Sequence, residues 1–222
     1  MLNRLIVTIQ LTLLAAVIAA VMGVASGLAA ARLRGATDWL VRLWNGLMLA
    51  VPNYVVATLI VLLFGLYFPE ITVLGYTPFL ERPLGNLASL LLPAFALALA
   101  VSVTIAENTR AAVLEVANQD FVMVARAKGL TPAAILRDYL MRNALTPVIT
   151  AAGLKIAALL GGSILVETIF AIPGMGQYLF DSINSRDYPV IQAIVLVAAG
   201  IVVLVNTMID IAYARVDARV QM

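Results

Sequence analysis

The chain has 222 residues, 63% of them hydrophobic and 12% charged, with a net charge of +2 and a mean hydropathy of +1.03. It contains no cysteine and no histidine, which excludes disulfides and thiolate chemistry and removes the commonest metal ligand and the commonest general base. So small a net charge gives no sign of nucleic-acid binding, and the composition points to an all-α integral membrane protein.

Read from charge to charge, the chain offers long stretches able to cross a hydrocarbon core of ~30 Å, which takes ~20 apolar residues as a helix. Leu5 to Ala31 carries no charge and is too long and evenly apolar for a cleaved leader, so a retained helix is expected over 5–31. Gly23-Val24-Ala25-Ser26-Gly27 within it is a small-xxx-small pattern that permits close helix contact. Further spans are predicted over 43–66, 88–106, 146–166 and 189–210, about five in all in a single transmembrane domain, with a long loop over 107–145. Pro52 and Pro93 interrupt spans and are expected to bend them, while Trp39, Trp44, Tyr67 and Phe68 fall near span ends as interfacial anchors.

The basic residues give the direction. Arg32, Arg34, Arg42, Arg110, Arg126, Lys128, Arg137, Arg142, Arg215 and Arg219 fall on one set of connections, and only Arg4, Arg82 and Arg186 on the other. The positive-inside rule puts the first set in the cytoplasm, with the N-terminus outside and the C-terminus inside.

The loop from Glu107 to Arg142 is far longer than a turn requires. Leu114, Ala117, Phe121, Val124 and Ala125 recur at helical spacing. Gly129 is placed to end that helix in the left-handed conformation, Thr131 to cap a second, and Pro132 to occupy its first turn. A second amphipathic run follows in Ile135, Leu136, Tyr139 and Leu140. Two readings stand: a pair of interfacial helices resting on lipid headgroups, or a docking knob for a cytoplasmic partner, the latter favoured by Glu115, Asp120 and Asp138 among the basic residues.

Polar residues inside spans mark interiors or cavities. Lys155, near Gly161, Gly162 and Ser163, either lines a path or snorkels or pairs structurally. Glu167 lies twelve residues beyond Lys155, ~18 Å along a helix, too far to pair with it. It is expected at the outer interface, fixing the Pro173-Gly174 turn. Asn206 and Asp210 share a helix face at the inner end of the last span.

These residues carry a resemblance. Asp120-Phe121-Val122, then Ala125-Arg126-Ala127-Lys128-Gly129-Leu130, with Arg142-Asn143-Ala144-Leu145-Thr146-Pro147, resemble the cytoplasmic loop of ATP-binding-cassette importer permeases, specifically the dipeptide, oligopeptide and nickel branch. Gly162-Ser163, Glu167, Phe170, Pro173-Gly174-Met175-Gly176, Arg186-Asp187-Tyr188-Pro189, and Asn206, Asp210, Tyr213, Asp217 and Arg219 are similar to later signatures of that branch, so the likeness runs from about Leu5 to Arg219. The chain departs from it at Met123, where the general loop has glutamate, and at Ala218, where the branch has proline. Branch members also carry a spanning helix and an outer region ahead of the helix that here follows Met1, so a shorter form or an incomplete start is expected.

The resemblance implies a type I importer permease fold in a bacterial or archaeal cytoplasmic membrane. It implies a second permease subunit, two cytoplasmic ATPase subunits gripping Ala125 to Pro132, and an extracytoplasmic substrate-binding protein. Peptide is the implied cargo, with nickel or a metal chelate as the alternative. No G-x-x-x-x-G-K-[ST] run is present, so this chain is expected to be no enzyme and to bind no cofactor, ATP and magnesium belonging to partner subunits. A stand-alone secondary transporter would show paired repeats or clustered titratable groups in its spans, and an intramembrane hydrolase a nucleophile with its base. Neither pattern is evident.

Overall fold

Helix lengths follow the apolar runs, but not their charged borders. In the computed structural model, described over residues 1–32, 36–68, 70–131, 134, 135, 139, 153 and 159–216, the described regular elements are all helical. In chain order they are α1 (Leu2–Arg32), α2 (Ala36–Ala50), α3 (Asn53–Tyr67), α4 (Pro83–Ala117), α5 (Asp120–Ala127), α6 (Leu159–Ile169), α7 (Met175–Asn184) and α8 (Tyr188–Val216). Three of them, α1, α4 and the Tyr188–Met208 part of α8, are each long and apolar enough to cross a membrane. The span expected over 146–166 lies largely outside the described residues, which take it up again at α6.

Two helix boundaries differ from those of the expected spans. The helix of the third span does not end at Ala106: α4 runs on as one 35-residue helix to Ala117. At 1.5 Å per residue that is ~52 Å, well beyond a ~30 Å hydrocarbon core. The charge at Glu107 does not break the helix, and Glu107, Arg110, Ala111, Ala112, Leu114 and Glu115 are all good helix formers. The second span, expected over 43–66, is broken at Pro52, as the proline led one to expect. Asp38–Ala50 and Asn53–Tyr67 meet at 96°, with Pro52 at φ −62° and ψ 145° between them. Proline has no N–H to give and disfavours helix in Val51 before it. Pro93, by contrast, is buried within a continuous α4.

The core is the contact of α1 with α4. Leu11, Ala15 and Ala19 of α1 and Ala94, Leu97, Ala98 and Ile105 of α4 are all at most 1% exposed. Small residues let the backbones close. A Cβ on Gly23 would lie 2.7 Å from the Ser102 carbonyl oxygen, and one on Gly27 2.7 Å from Thr109 Cβ. Helix α2 packs beside α4 with its pattern inverted: Asp38 and Asn45 are buried, while Trp39, Leu40, Leu43, Trp44 and Leu47 are exposed. Asp38 Oδ2 accepts from Arg42 at 2.6 Å and Oδ1 from Arg110 of α4 at 2.8 Å.

At the opposite end of α1 the connection from α3 to α4 closes over the bundle. Gly75 N–H donates to the Phe170 carbonyl at 2.9 Å, Tyr76 O–H to Gln10 Oε1 at 3.0 Å, and Asn86 Nδ2 to the Thr77 carbonyl at 2.8 Å.

Substituting Gly27→Leu is expected to force α1 from α4 and to destabilise the protein by about 1–3 kcal/mol, the usual cost of overpacking. Gly200→Ala, where an added Cβ meets nothing within 4 Å, is the control expected to leave stability unchanged or slightly raised. Thermal unfolding of the purified protein in detergent, followed by helical circular dichroism, measures both.

Candidate functional site

Two groups of residues are candidates for the site, one at each end of the bundle. The first is α5 and the turn that ends it. After α4 stops at Ala117, the N–H groups of Asn118 and Gln119 donate to the Glu115 and Val116 carbonyls, and the chain restarts as α5. Asp120 in its first turn and Arg126 in its last both complement the helix dipole. Val122 and Ala125 are buried at 0% and 2%, whereas Met123 and Val124 are 67% and 53% exposed. This corrects the expected face. Leu114 and Ala117 belong to α4, and the break at Asn118-Gln119 resets the helical phase, so Val122 rather than Phe121 or Val124 points inward. Phe121 stacks on Tyr139 with ring centroids 6.4 Å apart.

The end of α5 is a Schellman turn. Gly129 N–H donates to the Arg126 carbonyl at 2.9 Å and Leu130 N–H to the Ala125 carbonyl at 3.3 Å, with Gly129 at φ +77°. Thr131 then opens the next turn, its Oγ1 accepting from Ala134 N–H at 3.3 Å and its carbonyl from Ile135 N–H at 3.0 Å. Arg126, Ala127, Lys128, Gly129, Leu130 and Thr131 are all exposed, and Pro132 lies outside the described residues.

The second group surrounds Glu167. Expected at the outer interface beside the Pro173-Gly174 turn, it does lie against that turn and is 0% exposed within the protein. Its Oε1 accepts from the Thr8 hydroxyl at 2.7 Å, and its Oε2 accepts from the N–H groups of Gly176 and Gln177 at 2.7 and 3.3 Å. Thr8 Oγ1 in turn accepts from Met175 N–H at 2.8 Å. The first three N–H groups of α7, which no helix can satisfy itself, thus all find side-chain oxygens. A carboxylate at a helix N-terminus also meets the positive end of its dipole. Gly174 and Gly176 leave the room: a Cβ on Gly174 would fall on the Glu167 carboxylate, and one on Gly176 on the backbone of Ile164. Pro173 precedes them in the connecting turn. Helix α7 is further tied to α1 by Arg4, whose guanidinium carbon lies 4.5 Å from the Tyr178 ring centroid.

Beside this node, a cavity of about 330 Å³ opens between α1, α6, α7 and α8, lined by Thr8, Gly161, Ser163, Gly176, Ile194 and Ala198 among others. The expected trio divides there. Gly161 and Ser163 line the cavity, while Gly162 faces α3 and α4, where a Cβ would lie 3.2 Å from Leu97 Cδ1 and 3.6 Å from Asn53 Nδ2. Lys155 and the side chain of Asp210 lie outside the described residues. Thr8 is the residue the sequence did not single out; a threonine in an apolar helix gives no local sign of a partner 159 positions away.

Removing the acceptor by Glu167→Ala is expected to strand the buried N–H groups of Gly176 and Gln177, each at about 1–3 kcal/mol, and to lower the thermal midpoint in detergent. Glu167→Gln should recover much of the loss, since its oxygen still accepts from α7 and its amide can donate to Thr8. Gly174→Ala should behave like the alanine variant. Equal midpoints for Ala and Gln would show that these hydrogen bonds do not hold α7.

Residues 21–222 match the family described as binding-protein-dependent transport system inner membrane component. A peptide transport system permease protein of Brucella abortus (strain 2308) is 41% identical over 220 residues, covering 99% of this chain and 70% of its own length. The dipeptide transport system permease protein DppB of Bacillus subtilis (strain 168) is 36% identical over 217 residues, covering 97% of this chain and 68% of its own. Among solved structures, an inward-facing MetNI methionine ABC transporter superposes with a TM-score of 0.75 at 18% identity, covering 97% of this chain and 95% of that one. An amino acid ABC transporter chain gives 0.71 at 21% identity, with 96% and 92% covered. These structures share the fold of this chain, the type I importer permease fold. From its profile match and its relatives alike, the chain belongs to the binding-protein-dependent transport system inner membrane components, the permease subunits of ABC importers.

Proposed function

We propose that this chain forms half of the translocation path of an ATP-driven peptide importer, with the α5 end of the bundle in the cytoplasm and the Glu167 end outside. The observation that carries the mechanism is α5 itself: a short helix, half buried, presented beyond the membrane by the overlong α4 and ended by a fixed turn at Gly129. Exposed Met123, Val124 and Leu130 offer an apolar contact and Arg126 and Lys128 a charged rim, the composition of a protein interface rather than of a lipid anchor. Two ATPase subunits, one on this chain and one on a second permease, would each hold such a segment. Closure of the ATPase pair on ATP and magnesium would move α5 and rock α4 with α1 as a rigid body.

At the other end a substrate-loaded binding protein would deliver peptide to the outer mouth, and Gly161 and Ser163 would face the path. Peptide is favoured over nickel because relatives such as those of Brucella abortus and Bacillus subtilis carry peptide or dipeptide transport names. Lys155 would line the path where a peptide carboxylate passes.

Isolation from detergent-solubilised membranes should bring an ATPase down with the wild-type chain. Gly129→Val places a β-branched residue at φ +77°, which costs about 1–2 kcal/mol or more in backbone strain, and is expected to lose the ATPase while the membrane domain still accumulates. No ATPase with either chain would overturn the coupling role of α5.

A further inference from the structure

We propose that Asp38 is a positioning residue for transport: its ion pair with Arg110 is the tie that makes α2 follow the α4–α5 lever. The proposal rests on the coupling role of α5 argued above. Asp38 is 8% exposed, and each of its oxygens is taken by a different guanidinium, Oδ2 by Arg42 at 2.6 Å and Oδ1 by Arg110 at 2.8 Å. Arg42 belongs to the same helix as Asp38, four residues on, and is 62% exposed at its side chain. Arg110 is 26% exposed and belongs to α4. Among the described residues, Asp38–Arg110 is the salt bridge that joins two helices.

Its place along α4 gives it a mechanical meaning. Arg110 follows directly on Ala106 and Thr109, where Gly27 of α1 closes on α4, and it precedes the Asn118-Gln119 link to α5. Movement delivered at α5 therefore passes Arg110 before it reaches the membrane-spanning part of α4. There α1 is held by steric contact. Among the described residues α2 buries only Asp38 and Asn45, its other face being Trp39, Leu40, Leu43, Trp44 and Leu47, so it shows no steric interlock like that of α1. Arg110 Nε is buried with no hydrogen-bond partner among the described residues, so Asp38 is the group that holds this guanidinium. Two positive groups on one carboxylate also make the tie depend on that carboxylate, because its removal leaves two arginines facing each other.

The test uses the complex of this chain with its partner subunits in proteoliposomes, measuring binding-protein-dependent dipeptide uptake and ATP hydrolysis together. Asp38→Asn is expected to keep ATP hydrolysis and to lower uptake per ATP severalfold, and Asp38→Glu, which keeps both oxygens, to restore the ratio. Uptake and hydrolysis falling in proportion, or an unchanged ratio, would overturn the proposal in favour of a purely structural pair. A measurement on otherwise wild-type protein guards against misfolding of the variant. The chain has no cysteine, so spin labels at Gly46→Cys on α2 and Glu115→Cys on α4 report one distance. That distance is expected to be the same in nucleotide-free and ATP-trapped complexes, and a distance that changes with nucleotide would sink the tie. A wild-type complex that assembles with no ATPase would instead overturn the functional reading on which the tie rests.

Discussion

Close approach of α1 to α4 is the constraint on which the rest of the structure depends. Inside a bilayer, apolar side chains gain nothing by leaving lipid for one another, so helix pairs are held by packing and by hydrogen bonds. Small residues supply the packing here: Gly23 and Gly27 admit the Ser102 and Ala106 backbone, and alanines fill the seam on both sides. Once α1 and α4 are fixed against each other, each carries its own end of the molecule. Helix α1 brings Arg4 and Thr8 to α7, and α4 brings Arg110 to α2 and hands the chain on to α5.

The Glu167 node shows how a buried carboxylate is made tolerable. Taken from water alone, such a group would be costly. Here its two oxygens accept three hydrogen bonds, two of them from N–H groups that would otherwise be orphaned at the start of α7. The desolvated acceptor and the desolvated donors cancel one another's deficit. The turn between α6 and α7 is shaped to allow it. Ile172 N–H donates back to the Glu167 carbonyl at 2.8 Å, Ala171 takes φ +55°, and the two glycines clear the volume the carboxylate occupies.

What was legible in the sequence is what local chemistry dictates. The apolar runs gave α1, α4 and α8; Pro52 gave the break between α2 and α3; Gly129 and Thr131 gave the turn after α5; Gly23 and Gly27 gave a close-contact stripe. The illegible features were of two kinds. One was phase: nothing in Asn118-Gln119 announces that the helical register restarts, so the periodicity of Leu114 and Ala117 does not carry through to the face of α5, on which Val122 is buried. The other was choice of partner. Thr8 finds Glu167 across 159 positions and Asp38 finds Arg110 across 72, and no periodicity within a helix encodes which distant helix its polar residues will meet.

Those two long-range polar contacts sit at opposite ends of the same α1–α4 pair, and they differ in kind. Glu167 is enclosed by three elements, with no room for a Cβ on either glycine and with acceptors and donors matched, so α7 has one position against α1 and α6. Asp38 is held at a helix that is otherwise lightly packed, and one of its two arginines is mostly exposed. Left-handed residues bracket α7, Ala171 before it and Arg186 after it, and neither is a glycine. Such backbone costs about 1–2 kcal/mol per residue and persists only where surrounding contacts over-determine it. Arg186 is so held: its N–H donates to the Ile183 carbonyl at 3.1 Å and Asp187 N–H to the Ser182 carbonyl at 2.9 Å, the same closure that ends α6. A helix pinned at its start by a buried carboxylate and at its end by a strained but fully bonded turn is a fixed element. Any rearrangement of this fold therefore has to be taken up elsewhere, and the bend at Pro52, with Asp38 at its far end, is the least constrained place the described residues offer.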